Sequence, residues 1–314
     1  MAVNVTNPKN VAISLGRTLL IVNPVAQSGK GSKNGHRTFD LLREEYQQDV
    51  DLFYTKHDGH AMQIASDTAK YDSVIVVGGD GVVHETASGI MRLPKKDRPV
   101  MGVIPVGSGN DYARSLGMSF KVKSAVDQLM HSKIKEVDVG QCNDKFFVET
   151  LSFGIDAGIA IDTMKARVKS KEKGFKLYFK CGIDRIMNHF ELFDFTAKLD
   201  RGRTINGHSL IFAIQIGKTY GGGFKITPDA ELDDGYFNLC YSENLKSRKQ
   251  ALPLFARAAK GKHTSSNLVK FDKSKNIKLK IKQLVPCQLD GEEYSNKNFD
   301  IKTHNKALKV YVTS

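Results

Sequence analysis

The sequence predicts an α/β protein: a doubly wound α/β domain over residues 1–134, then an antiparallel β-sandwich domain over residues 135–314. Three observations carry this. Short apolar runs alternate with amphipathic helical stretches from residue 18 to 131, the pattern of a largely parallel sheet covered by helices. Glycine-bearing loops at Asn23, Gly78 and Gly107 each follow such a run, so all three fall at the carboxyl ends of strands, where doubly wound sheets bind ligands. From about Lys135 the segments shorten and are joined by turn-forming pairs, the pattern of antiparallel β structure.

The first strand is read at 18–22, ending at Asn23-Pro24. The loop that follows, V-A-Q-S-G-K-G-S-K, only superficially resembles a P-loop: Pro24 stands where glycine is required, and Gly31 follows Lys30 where Ser or Thr is required. It is read as a phosphate-facing loop that offers its amides and Lys30, with a flexible surface loop as the alternative. A helix is expected at 36–46, a strand at 50–54 ending at Thr55, and a helical face formed by Ala61, Ile64, Ala65, Thr68 and Ala69. The run 74–77 is β-branched throughout and reads as a strand buried on both faces. Gly78-Gly79-Asp80-Gly81 follows it, then a helix from about His84 to Met91. A strand at 100–104 leads into P-V-G-S-G-N-D-Y-A-R at 105–114, and a helix at 122–130 closes the domain.

In the second domain, strands are expected at 137–139, 146–151, 192–199, 210–216, 236–241, 277–281 and 308–312, with turns at Asn143-Asp144 and Asn206-Gly207. Two helical inserts interrupt them, at about 173–190 and 248–260, the second containing Pro253.

A formal charge of +13 over 314 residues calls for an anionic partner: a nucleotide, an acidic membrane surface or nucleic acid. The excess is clustered. Residues 165–185 carry eight Lys/Arg against two acids, with Phe175, Tyr178 and Phe179 among them, and residues 245–282 carry twelve against one. No RNP-like aromatic stripe, zinc-finger spacing or helix-turn-helix signature is present, so nucleic acid is not the expected partner. No apolar run reaches the roughly 20 residues needed to span a bilayer, and the first ten residues lack the layout of a signal peptide. Cys142, Cys181, Cys240 and Cys287 are scattered and form no metal-binding pair, which suits a reducing cytoplasm. The expected location is cytoplasmic, with peripheral attachment to a membrane.

Four motifs occur in order: G-G-D-G at 78–81, P-V-G-S-G-N-D-Y-A-R at 105–114, T-P-D-A-E-L-D-D-G-Y-F at 227–237 and L-D-G-E at 289–292. Together they make the chain resemble the diacylglycerol kinase catalytic family over nearly its whole length, and most closely the soluble bacterial lipid kinases. The first motif alone is shared with NAD kinases. The resemblance implies an NAD kinase-like nucleotide-binding domain, ATP and Mg2+ as cofactors, and a lipid hydroxyl as acceptor, with diacylglycerol the default. It implies nucleotide contacts at Asn23, Pro24, Val25, Ala26, Gln27, Ser28 and Gly29, at Thr55, at Gly79, Asp80, Gly81, Val82, Val83, His84 and Glu85, and at Ser108. Asp80 would act through magnesium and the phosphates. A second, structural magnesium would take the Asp234 carboxylate with oxygens of Glu231 and Tyr236, a donor set that suits a hard cation. Glu292 would be the general base that takes the proton of the attacking hydroxyl, while strand alternation turns Glu293 to the opposite face.

The chain departs from the family pattern at Val82, where a hydroxyl is usual, and at His84, where Asn is usual. Losing one hydrogen bond to phosphate costs about 0.5–1.5 kcal/mol, which weakens nucleotide binding without abolishing it. The alternatives to diacylglycerol are another lipid alcohol, NAD as acceptor, or a nucleotide-binding regulator without catalysis. The sequence leaves room for a homodimer.

Overall fold

The computed structural model describes residues 12–167, 170, 172–296 and 298–313. The first ten residues, and Lys169 and Lys171 of the basic segment, lie outside the described residues. The chain divides into two compact units: residues up to 107 with 116–136 and those from 308 on, and residues 108–115 with 137–307.

In the first unit, β1 (Thr18–Val22) is followed by α1 (Ala26–Gly29), α2 (Gly31–Asp40) and β2 (Val50–Tyr54). Then come α3 (His60–Ala65), β3 (Ser73–Gly78), α4 (Asp80–Met91) and β4 (Val100–Pro105). The strands lie parallel in the order β2-β1-β3-β4. All six residues of β3 are buried, as the unbroken apolar run requires of a central strand. The lysine-bearing loop expected after β1 is instead helical. Two glycines of α2 serve contact: a Cβ at Gly31 would meet the Asn23 carbonyl oxygen at 2.0 Å, and one at Gly35 would meet Val22 Cγ1 at 2.4 Å. Side chains there would push α2 off β1. The helix expected at 36–46 therefore starts earlier, and a π turn over Leu41–Glu45 ends it. Likewise α4 starts at Asp80 rather than near His84, leaving Gly79 alone as the turn.

After α5 (Asp111–Ser115), which belongs to the second unit, α6 (Val122–Met130) returns to the first. The second unit continues with β5 (Lys133–Cys142), which begins in the first, then β6 (Lys145–Phe147), β7 (Thr150–Gly154), α7 (Ile155–Ala166) and α8 (Gly174–Asn188). There follow β8 (Phe193–Lys198), β9 (Thr204–Ser209), β10 (Ile211–Gln215), β11 (Phe237–Ser242), α9 (Arg248–Ala258) and β12 (Val269–Ser274). The last strands are β13 (Asn276–Ile281), β14 (Cys287–Leu289), β15 (Glu292–Glu293) and β16 (Asn298–Val312). The end of β16 lies in the first unit, where Val310 pairs in parallel with Met101 of β4.

One antiparallel sheet of the second unit has the order β12-β11-β10-β7-β14-β15, and β16, β13, β8 and β9 follow one another in another. Inward residues of both, among them Phe147, Phe153, Phe195, Phe212, Phe237, Ile277 and Ile301, form a continuous core. A second apolar cluster joins Ala213 and Cys240 of the first sheet to residues of α7, α8 and α9. Asn206-Gly207, expected as a turn, lies within β9, where a Cβ at Gly207 would meet the Phe195 ring at 2.5 Å. α7 was not expected, and β9, β12, β14 and β15 were likewise missed.

Of the aromatics of α8, Tyr178 is buried and Phe179 stacks on Phe224, while Phe175 stacks on Phe224 yet stays 41% exposed. Among the described residues no helix is long and apolar enough to cross a membrane.

Candidate active site

The connections after all four parallel strands of the first unit come together at one edge. The Asn23 N–H donates to Val77 O (3.0 Å), and the Asn23 carboxamide oxygen accepts the Val25 N–H (3.1 Å). This ties the segment after β1 to the end of β3. The Thr55 N–H donates to Val22 O (2.9 Å), which brings the end of β2 alongside. The Val106 N–H donates to Gly78 O (2.7 Å), and a Cβ at Gly79 would lie 3.0 Å from Gly107 Cα. Only glycine at 79 lets the segments after β3 and β4 approach this closely.

Out of this junction rises α4. Its first helical bond runs from the Val83 N–H to Gly79 O, so the amides of Gly81 and Val82 precede the hydrogen-bonded ladder. No side chain caps the helix. The first turn of a helix carries a partial positive charge and attracts phosphate. Asp80 is half-exposed at the first helical position, and nothing lies within 4 Å of where a Cβ of Gly81 would be. One carboxylate beside phosphate oxygens is the setting Mg2+ prefers, so Asp80 fits a nucleotide-bound cation.

The remaining nucleotide residues expected here divide by what they touch. Val82 is 5% exposed, and a Cβ at Gly78 would sit 2.2 Å from its Cγ1. Its side chain therefore packs over the end of β3 and leaves only its amide to a ligand. Val83 and His84 are buried. The Glu85 carboxylate accepts the N–H groups of Gly59 (2.8 Å) and Ala61 (3.0 Å), so it caps the start of α3. Glu85 thus shapes the cradle by fixing α3. Pro24 and Val25 lead into α1, which carries Ala26, Gln27, Ser28 and Gly29.

In the second unit, Ser108 is half-exposed, and its carbonyl oxygen would lie 2.6 Å from a Cβ at Gly174. Asp111 is buried and accepts the Gly222 N–H (2.6 Å), fixing the loop before Phe224. Farther along, Asp290 sits at φ 48° with Gly291 at φ 93°, making a tight turn between β14 and β15. The Asp290 carboxylate accepts three amides, from Val148 (2.7 Å), Glu149 (3.0 Å) and Thr150 (2.8 Å). It clamps the hairpin to β7 and so holds Glu292, which pairs with Leu289 in the register. Glu292 and Glu293 are both exposed. The sequence drew attention to Glu292 and passed over Asp290, whose clamp depends on a segment 140 residues away.

The stretch expected to hold a second cation does not offer a vacant carboxylate. Asp234 accepts the Tyr236 N–H on one oxygen (3.0 Å) and the Lys273 ammonium on the other (2.7 Å). The Lys275 ammonium lies 4.6 Å from the centre of the Tyr236 ring. Glu231 is exposed. Among the described residues no group of three or more His, Cys, Asp or Glu side chains is placed to hold a metal ion. With one oxygen on an amide and the other on an ammonium, the Asp234 carboxylate as placed does not suit a divalent cation.

Residues 17–142 match the diacylglycerol kinase catalytic domain, and residues 149–312 match the YegS C-terminal NAD kinase beta sandwich-like domain. A diacylglycerol kinase of Staphylococcus carnosus is 31% identical over 224 residues, covering 71% of this chain and 70% of that protein. The chain belongs to the diacylglycerol kinase family. Two solved structures show the fold. A diacylglycerol kinase from Bacillus anthracis superposes with a TM-score of 0.75 at 21% identity, over 95% of this chain and 97% of that one. An NAD kinase from Archaeoglobus fulgidus gives a TM-score of 0.51 at 11% identity, over 95% and 94%.

The second unit of this diacylglycerol kinase family member also holds an apolar cavity. It lies among α7, α8, α9 and the strands beneath them, lined by Ile159, Tyr178, Phe224, Leu254 and Phe255 among others. One carboxylate enters it. Asp156 is 4% exposed and accepts the Tyr220 hydroxyl on Oδ2 (2.5 Å). Burial pushes its pKa up to about 6, against the opposing bond from Tyr220. This cavity was not legible from the residues alone, because its walls come from segments spread from 155 to 269.

Proposed function

We infer that the protein is an ATP- and Mg2+-dependent lipid kinase that transfers the γ-phosphate to a lipid hydroxyl, converting diacylglycerol to phosphatidic acid. One observation carries this reading: the four strand ends of the first unit converge on an uncapped first helical turn bearing Asp80. There the triphosphate lies against the amides of Gly81 and Val82. Asp80 would hold a magnesium ion there, which would supply charge neutralisation at the phosphates. Glu292 takes the proton from the acceptor hydroxyl, whose own pKa is far too high to ionise unaided. Phosphoryl transfer otherwise needs little beyond alignment and charge stabilisation. The apolar cavity of the second unit takes the acyl chains, since its walls are mostly aliphatic and aromatic.

The same reading puts the enzyme on an acidic membrane. Lys176 and Lys180 of α8 are exposed beside Ile183 and Met187, which are 41% and 43% exposed. Basic residues flanking exposed apolar ones suit the surface of an anionic bilayer, where each charge contributes about 1 kcal/mol and is screened by salt. A single experiment tests acceptor and membrane together. Labelled ATP and Mg2+ are supplied with diacylglycerol in acidic or neutral vesicles, at low and high salt, beside sphingoid base and NAD. Label should enter diacylglycerol, faster in acidic vesicles, with the advantage lost in high salt. Label in NAD would overturn the acceptor, and equal rates in both vesicles would overturn the membrane reading.

A further inference from the structure

The turn before β11 gathers acidic residues as a cation site would, yet a lysine already occupies it. Asp138 is buried, and its carboxylate accepts the N–H groups of Gly235 (2.6 Å) and Lys306 (2.7 Å). Its bond to Gly235 brings this carboxylate to the same turn as Asp234, whose side chain is only 18% exposed. An acidic turn of this kind needs a positive charge. Lys273 supplies one. It lies on β12 opposite Asn238 of β11, a register that brings its ammonium to 2.7 Å from Asp234 Oδ2.

We propose that the Lys273 ammonium serves at Asp234 in place of a structural divalent cation, so that the second unit holds its 227–237 turn without metal. Mg2+ demands carboxylate oxygens at about 2.0–2.1 Å in octahedral array and sheds water reluctantly. Here one oxygen of Asp234 is bound to an ammonium and the other to a backbone amide. A cation would have to displace Lys273 and then sit beside both it and Lys275, against like charge. The ammonium meets the same electrostatic need and is supplied by the chain itself. This concerns the second unit alone, and its test contains neither nucleotide nor lipid, so it stands or falls separately from the kinase reading.

The test is thermal unfolding of the full chain in chelator and in Mg2+, without nucleotide, for the native sequence, Lys273→Met and Lys273→Glu. The native protein should melt at the same temperature in both media. Lys273→Met should melt lower in chelator, by about 2–4 °C for each kcal/mol lost, and recover part of that in Mg2+. Lys273→Glu adds a carboxylate beside Asp234 and should show the larger recovery. Should Lys273→Glu fail to fold, Asp234→Asn decides the matter. It should lower the melting temperature as Lys273→Met does in chelator, and combining the two should add little. A native protein that loses several degrees in chelator and regains them with Mg2+ would overturn the proposal. So would Lys273→Met melting as the native protein does in chelator.

Discussion

Glu292→Gln is expected to lower turnover about 10²–10⁴-fold while ATP affinity stays within about twofold. Glutamine keeps the size of the side chain and removes its ability to accept a proton. The fold of the hairpin should survive, because Asp290 and not Glu292 fastens it to β7 through the amides of Val148, Glu149 and Thr150. Hydrogen bonds to a charged acceptor contribute roughly 1.5–3 kcal/mol each, so that clamp is well able to hold the turn alone. Glu293→Gln is the matched control, one residue along the same exposed strand, and should leave turnover nearly unchanged. Steady-state kinetics with a melting curve for each variant checks both. Activity kept in Glu292→Gln and lost in Glu293→Gln would move the base by one residue.

The second large effect concerns stability. Asp156 has a pKa of about 6 in the folded protein, raised by burial, against about 3.9 unfolded. Between those values the folded chain holds a proton that the unfolded chain has released, so stability falls as pH rises from about 4 to about 6 and then levels. A shift of about two units corresponds to roughly 3 kcal/mol. Tyr178, Tyr220 and Cys240, whose charges couple to Asp156, have pKa values pushed well above the usual range by burial and do not titrate in this window. In Asp156→Asn the carboxamide oxygen still accepts the Tyr220 hydroxyl and no charge develops. Relative to the native protein, the variant should therefore gain about 3 kcal/mol between pH 4 and pH 7.5. Urea unfolding of both proteins at the two pH values measures this difference, since every other titrating group is shared. A difference that does not change with pH would show that Asp156 carries no raised pKa.

The parallel half of the fold was legible because its strands are buried on both faces and therefore read as unbroken apolar runs, as at 74–77. Where the reading failed, a residue type had two physical uses. Gly31 read as part of a loop, yet it lets α2 lie against the Asn23 carbonyl. Gly207 read as a turn, yet it makes room for the Phe195 ring within β9. α7 escaped because its helix is buried nearly all round, from Ile155 through Ile161, and shows no polar stripe.

The site divides in the same way. Asp80 and Glu292 stand in contiguous motifs, so the sequence alone was enough to propose them. The roles of Glu85, Asp290 and Lys273 were hidden, because each depends on a partner 24 or more residues away that only the folded chain supplies. Val82 was visible as a departure, but its place over Gly78 was not.

Equilibrium titration of MgATP into the purified protein, without any acceptor, tests the phosphate cradle most directly. Saturable binding at a single site is expected, weakened at least about tenfold in Asp80→Ala, as loss of a charge-assisted contact of roughly 1.5–3 kcal/mol requires. A folded native protein that fails to bind MgATP, or an Asp80→Ala variant that binds it as tightly, would contradict the account.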